Sequence, residues 1–290
     1  MSYYKVLGFQ KEPFSTSPDP DFFYLSRDHE AALTNILIEL RLKRGLNVIL
    51  GNVGTGKTTL SRKLIQELKS REDCVFHIIL DPSFESPTSF LTSFAKNFGI
   101  ALPAGNPEPS IADMRESLER FLFQKGVIEN KTVVLIVDEA QKLNEMSLEI
   151  LRVLLNYETN EFKLLQLVLL GQLELQPKIK TIPNFFDRIS YKGKLEPLDF
   201  EEMKEMIQFR IKQAGYQAHS NLFLEEALRA IHVTTGGYPR QVTLLCHQAL
   251  KELLLKNKFV VDVPMIENII EKDMRSGWLN TNALLQKSSC

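Results

Sequence analysis

The chain has 290 residues, with 35 Lys and Arg against 36 Asp and Glu; its formal net charge of −1 excludes a globally basic nucleic-acid coat and leaves room only for a local patch. Three cysteines, Cys74, Cys246 and Cys290, include no CxxC pair, so neither a disulfide framework nor a zinc site is indicated and a reducing compartment fits. No basic leader precedes an apolar core, and no apolar run approaches the ~20 residues of a membrane span, so a cytoplasmic protein with no direct membrane insertion is expected.

The stretch 8–24, GFQKEPFSTSPDPDFFY, interleaves proline, serine and aromatics without a helical or strand period. Phe9, Phe14, Phe22, Phe23 and Tyr24 would otherwise be exposed apolar surface, so residues 1–25 are predicted to form an irregular but ordered arm. Ser26 then reads as an N-cap, with Asp28 and Glu30 in the first turn where the helix dipole favours acids. Leu33, Ile36, Leu37 and Leu40 recur at helical spacing until Lys43, Arg44 and Gly45 close the helix.

Residues 46–60, LNVILGNVGTGKTTL, read as an apolar strand, a glycine turn and the start of a helix. Gly51, Gly56, Lys57 and Thr58 stand at the spacing G-x-x-x-x-G-K-[ST] of the Walker A phosphate loop. Backbone N–H groups must converge to wrap a polyphosphate, and glycine permits the φ values and close approach this needs. The loop residues Gly51, Asn52, Val53, Gly54, Thr55, Gly56, Lys57, Thr58 and Thr59 are therefore predicted to bind ATP. Lys57 would reach the β- and γ-phosphates, and Thr58 would take one Mg²⁺ coordination site.

After the helix carrying Leu60, Leu64, Ile65 and Leu68, residues 74–80 read as a buried strand. His77 inside it is expected to be a core residue, since no second His, Cys or Glu stands at metal spacing. Ser86 and Pro87 open a helix with Phe90, Leu91, Phe94 and Phe98 inward, ended by Gly99; residues 99–109 read as a surface loop. Ser110 caps a helix whose apolar positions are Ile111, Met114, Leu118 and Phe121.

The apolar run 132–137, TVVLIV, leads into Asp138 and Glu139, a Walker B pattern. Strand C-termini of a parallel sheet share one edge, which would place Asp138 beside the phosphate loop. Asp138 would hold Mg²⁺ directly or through water, and Glu139 would polarise the attacking water. A helix with Leu148, Leu151, Leu154 and Leu155 follows, then a strand at 164–170 tipped by Gly171 and Gln172. An amide there would lie between the Walker elements, where it orients water or touches the γ-phosphate. Arg188 precedes an alternating stretch, 190–195, that reads as a further strand. Strand and helix alternate throughout 26–197, which predicts an α/β nucleotide-binding domain with a mainly parallel sheet flanked by helices.

Residues 198–274 change character: helices are predicted from Asp199, over 223–233 and over 241–255, with a short strand at Phe259, forming a small helical lid domain. Residues 275–290 read as a loosely held tail, whose Trp278, Leu284 and Leu285 offer a docking alternative.

Together these features resemble an AAA+ ATPase of the P-loop NTPase class and, more narrowly, the ExeA (general secretion pathway protein A) family, with a relation to TniB-type transposition ATPases. The resemblance is carried by the arm YKVLGFQKEPFSTSPDPDFFYLSRDHEAAL, the loop GNVGTGKTTL, VDEAQ at 137–141, LLGQLEL at 169–175 and GGYPRQVTLLC at 236–246. It implies that Gln172 acts as sensor 1, Arg240 as sensor 2 and Arg188 as an arginine finger completing a neighbouring subunit's site, with Arg152 the second candidate for that role. Leu173 stands where the family often has proline. The implied protein is an oligomeric, Mg²⁺- and ATP-dependent switch, a homo-oligomer that assembles a secretion or export apparatus. Secretion members commonly continue into a transmembrane segment and a periplasmic region, which this sequence lacks, so a membrane-protein partner is expected to supply them. The alternative is a transposition regulator on duplex DNA, for which Lys178, Lys180, Lys192 and Lys194 would form a basic track.

Overall fold

The computed structural model describes residues 2–17, 19–101, 110–217 and 221–276. In chain order the elements are α1 (Tyr3–Val6), α2 (Arg27–Arg41), β1 (Leu46–Gly51), α3 (Lys57–Lys69), β2 (Cys74–Ile79), α4 (Pro87–Asn97) and α5 (Ile111–Phe123). They continue with β3 (Thr132–Val137), α6 (Glu145–Leu154), β4 (Leu165–Gly171), α7 (Leu175–Lys180), β5 (Ile189–Leu195), α8 (Phe200–Gln213), α9 (Glu225–Thr235), α10 (Pro239–Leu255) and α11 (Val263–Arg275). Two compact units emerge: Arg27–Val53 with Lys57–Leu195, and the described residues of Met1–Ser26, Gly54–Gly56 and Glu196–Cys290.

The first unit is built on a five-stranded sheet in the order β2-β3-β4-β1-β5, all neighbours parallel. Side chains alternate across it. Leu46, Val48, Val133, Leu135, Val137, Leu165, Leu167 and Leu169 join α4, α5 and α6 in one core, while α2 and α3 take the other face. The inner strands β3 and β4 are buried along their whole length, which explains their unbroken apolar runs.

Both edges differ from the centre. β5 alternates between half-buried and exposed, as its sequence does. β2 was expected to be buried; it is half-buried for most of its length and Leu80 beyond it is exposed, because β2 has a neighbour on one side only. His77 on that edge lies edge-on to Phe98, and burial lowers its pKa.

Local chemistry fixes the helix starts. Ser86 with Ser89, and Ser110 with Asp113, close capping boxes at α4 and α5. Ile111 is nonetheless exposed, being the first residue of its helix. A π-turn at Gln124–Ile128 prolongs α5, which periodicity gave no means of foreseeing; a Cβ on Gly126 there would stand 3.0 Å from Leu164 Cδ2. Most of the 99–109 stretch, and the tail with Trp278, Leu284 and Leu285, lie outside the described residues.

In the second unit α8 starts from an Asp199–Glu202 capping box. The helix expected at 223–233 sits two residues later, at Glu225–Thr235, because Phe223 forms an isolated bridge to Val261. That bridge replaces the strand expected at Phe259, which is exposed, and α11 follows where no helix was foreseen. Leu244 on α10, though apolar, is exposed. Gly237 lies in the left-handed region at φ +73°, and a Cβ on it would fall 2.0 Å from the Leu198 carbonyl oxygen, so only glycine fits this turn.

The arm belongs to this core. Phe9, Phe14 and Phe22 are buried among Met203, Met206, Ile207 and Val242. Arg210 on α8 ties the arm down: its Nε donates to the Pro13 carbonyl at 2.9 Å and its Nη2 to the Ser15 carbonyl at 2.8 Å. Phe14 is 1% exposed and meets Phe223 edge-on at 6.0 Å. Phe14→Ala is expected to lower stability by about 3–5 kcal/mol, read from denaturant midpoints; an unchanged midpoint would mean that the arm contributes nothing to this core.

Candidate functional site

Parallel register brings three strand ends to one edge of the sheet. Leu50 of β1 pairs with Gly171 of β4, and Val137 of β3 pairs with Leu169 of β4. β4 thus separates β1 from β3, and its tip, Gln172, lies between the loop after β1 and the acids after β3. This is the carboxyl edge at which open parallel sheets bind ligands.

The loop after β1 turns through Gly54 at φ +87° and Gly56 at φ +98°, values that a side chain resists, before Lys57 opens α3. Lys57 is 5% exposed, and its ammonium donates to the carbonyls of Gly51 at 2.7 Å and Asn52 at 2.9 Å. Burial lowers its pKa, while the charges of Glu139, Asp138 and Glu174 act in the opposite sense. The cation is thereby held at the mouth of the loop, beside the N-terminus of α3, the end of a helix that favours anions.

Asp138 is 2% exposed. Burial raises its pKa, and hydrogen bonds from the Thr58 hydroxyl and the Glu139 N–H, the latter 2.9 Å from Oδ1, pull it back down. A hydroxyl and a carboxylate held together at the start of α3 are the hard oxygen donors that Mg²⁺ prefers, so Thr58 and Asp138 fit the ion. Glu139 stands in the left-handed region, φ 52° and ψ 35°, a conformation that costs a non-glycine residue on the order of 1–3 kcal/mol and marks functional positions.

Gln141 was not singled out by the motif reading. Its Nε2 donates to Glu139 Oε2 at 2.7 Å, and its Oε1 accepts the main-chain N–H of Gln172 at 3.0 Å. Glu174 was also missed, and its charge reaches Lys57. The VDEAQ string contained the first signal; nothing in spacing marked the second.

The two arginines differ in their partners. Arg152 is paired with Glu149 through two bonds, 2.8 Å from Nε and 2.6 Å from Nη2. Arg188, at the end of the short turn before β5, donates from Nη1 to the neutral Asn156 Oδ1, so this contact leaves its charge unneutralised. Arg240 is the second residue of α10, and within the helical unit its N–H donates to the Gly54 carbonyl at 3.3 Å. All four lysines of the basic track are exposed; the Lys178 ammonium bonds the carbonyls of Gln141 and Leu143, and Lys180 and Lys192 approach the Phe186 ring at 5.4 and 4.1 Å.

Comparison with known proteins adds lineage to this geometry. Residues 40–179 match the family described as AAA domain. The chain is 35% identical over 254 residues to general secretion pathway protein A of Aeromonas hydrophila, covering 86% of this chain and 44% of that protein, so it spans less than half the length of that relative. Among solved structures it resembles the Cdc6p protein of Pyrobaculum aerophilum, with a TM-score of 0.62 and 19% identity over 86% of this chain and 67% of that one. It also resembles the ORC2 protein of Aeropyrum pernix, with a TM-score of 0.57 and 16% identity over 92% and 82%. The RuvB Holliday junction branch migration motor of Thermotoga maritima gives a TM-score of 0.56 and 15% identity over 87% and 72%. At such identities these three likenesses speak for the fold.

Proposed function

We propose, because this chain belongs to the AAA+ ATPases and among them to the ExeA (general secretion pathway protein A) family, that it binds ATP with Mg²⁺ and hydrolyses it to ADP and phosphate as an oligomeric switch. The observation that carries this reading is the meeting of the buried Lys57 ammonium with the Asp138–Thr58 oxygen pair at one sheet edge. Lys57 and the loop amides hold the phosphates, Thr58 and Asp138 hold the metal, and Glu139 takes the proton of the attacking water. The metal, when bound, neutralises charge developing on the phosphate oxygens. Gln172 orients water at the strand tip and Arg240 serves as the lid's contact to nucleotide.

Oligomers are needed because one subunit leaves the outer side of the γ-phosphate short of positive charge. Arg188 is the better finger: Arg152 is already neutralised by its bidentate carboxylate, whereas Arg188 leans on an amide. A role in assembling a secretion or export apparatus is supported by the 35% identity to a protein of that name. Among the described residues no helix is long and apolar enough to cross a membrane; a membrane-protein partner is the proposed contact to an envelope. Duplex DNA is the weaker reading: the four lysines of the basic track are exposed, but the Lys178 ammonium is engaged by the Gln141 and Leu143 carbonyls.

A phosphate-release assay tests the reading directly. Purified chain is expected to release phosphate from ATP in the presence of Mg²⁺ and to stop when EDTA is added; release that continues unchanged in EDTA would remove the metal from the account.

A further inference from the structure

We propose that Gln141 is a positioning residue that aims Glu139 and ties its orientation to the tip of β4, a reading that rests on the assignment of Glu139 as the base. Three contacts carry it. Gln141 Nε2 donates to Glu139 Oε2 at 2.7 Å, Gln141 Oε1 accepts from the Gln172 N–H at 3.0 Å, and the Gln141 main-chain carbonyl accepts from the Lys178 ammonium on α7. The amide orientation follows from its partners. A carboxylate only accepts and a main-chain N–H only donates, so the reversed amide would set oxygen against oxygen and N–H against N–H.

The surroundings leave Gln141 little freedom. It lies in the short turn Ala140–Lys142 that packs on β4 and α7, and a Cβ on Gly171 would sit 3.3 Å from the Gln141 nitrogen. Glu139 has the opposite problem. Its backbone is left-handed, and three χ angles separate that backbone from the carboxyl oxygens. Without a partner the acid samples several rotamers, of which a fraction faces water. The bond from Gln141 to Oε2 selects one and leaves Oε1 to accept the proton. In that step the water oxygen bonds to the γ-phosphorus and the bond to the β–γ bridging oxygen breaks, its electron pair leaving with ADP. The water proton passes to Oε1, and Oε2 stays bonded to Gln141. Because the same amide grips Gln172, whatever displaces the strand tip displaces the base.

The experiment is steady-state phosphate release by the full chain in Mg²⁺, across pH, for Gln141→Ala, Gln141→Glu and Glu139→Gln. Gln141→Ala is expected to lose ~10- to 100-fold in kcat, the cost of a misplaced reacting group, with KM within about 3-fold of the parent. Gln141→Glu keeps an acceptor for Gln172 but has no donor while ionised. The Glu139 charge raises the new carboxyl's pKa, so its kcat should climb relative to the parent as pH falls from about 8.5 to about 6 and the protonated carboxyl regains a donor. A merely structural residue would not generate that limb. Parent-like kcat in Gln141→Ala, or a parent-shaped pH profile in Gln141→Glu, overturns the inference; if the alanine variant does not fold, the profile alone decides. Glu139→Gln separates the two levels: inactive while Gln141→Ala is unimpaired, it spares the base and sinks only the positioning role; active at the parent rate, it sinks both.

Discussion

Lys57→Ala should bind ATP at least ~100-fold more weakly than the parent, a loss of about 3 kcal/mol, the scale of a charge-assisted hydrogen bond removed from a buried site. The side chain is 5% exposed and its ammonium is already directed at the loop by the Gly51 and Asn52 carbonyls, so a ligand gains a cation whose ordering cost is partly met before it arrives. Alanine removes the charge facing Asp138 and Glu139, leaving two carboxylates to repel an incoming polyphosphate. It is also a good helix former at the first residue of α3, so the helix itself should survive. Calorimetric titration with Mg²⁺-ATP reads the affinity and thermal unfolding controls for the fold. Parent-like affinity in a folded variant would separate the glycine loop from nucleotide binding altogether.

Much of this architecture was written locally. The inner strands declared themselves because burial on both faces permits only apolar residues, as in TVVLIV, and β5 because an edge strand keeps one wet face and so alternates. The same rule misled at β2: CVFHIIL is apolar throughout, yet the strand has one neighbour and stays half-buried, since hydropathy does not encode strand order. The end of α5 was illegible because a π-turn changes the hydrogen-bond register without changing the apolar pattern. In the helical unit, the start of α9 moved by two residues because Phe223 was claimed by a bridge to Val261, a long-range pairing that no local signal marks. At the site, Lys57, Thr58, Asp138 and Glu139 were legible through spacing, which fixes what a loop and a strand end present. Gln141 was not, since its significance is a pair of bonds to groups on two different elements. Arg188 and Arg152 illustrate the same limit: as residue types they are equivalent, and only their partners, an amide and a carboxylate, tell them apart.

Glu139→Gln isolates chemistry from binding, and its expected signature is ATP affinity at or slightly above the parent's with kcat reduced by ~10²- to 10⁴-fold, the range of a lost general base. The exchange is isosteric, and glutamine occupies the left-handed backbone at φ 52° no more easily than glutamate, so the strained turn is unchanged. The new amide can turn its oxygen toward Gln141 Nε2 and keep the contact that glutamate makes through Oε2. Lys57, Thr58 and Asp138 are untouched, and one negative charge fewer faces the triphosphate, which is why affinity should not fall. What disappears is the only basic oxygen pair at this position: an amide oxygen does not take a water proton near neutral pH. Nucleotide titration and phosphate release on the same preparation give both quantities. Turnover at the parent rate would move the base elsewhere, and the acid whose charge also reaches Lys57, Glu174, would be the next carboxylate to replace.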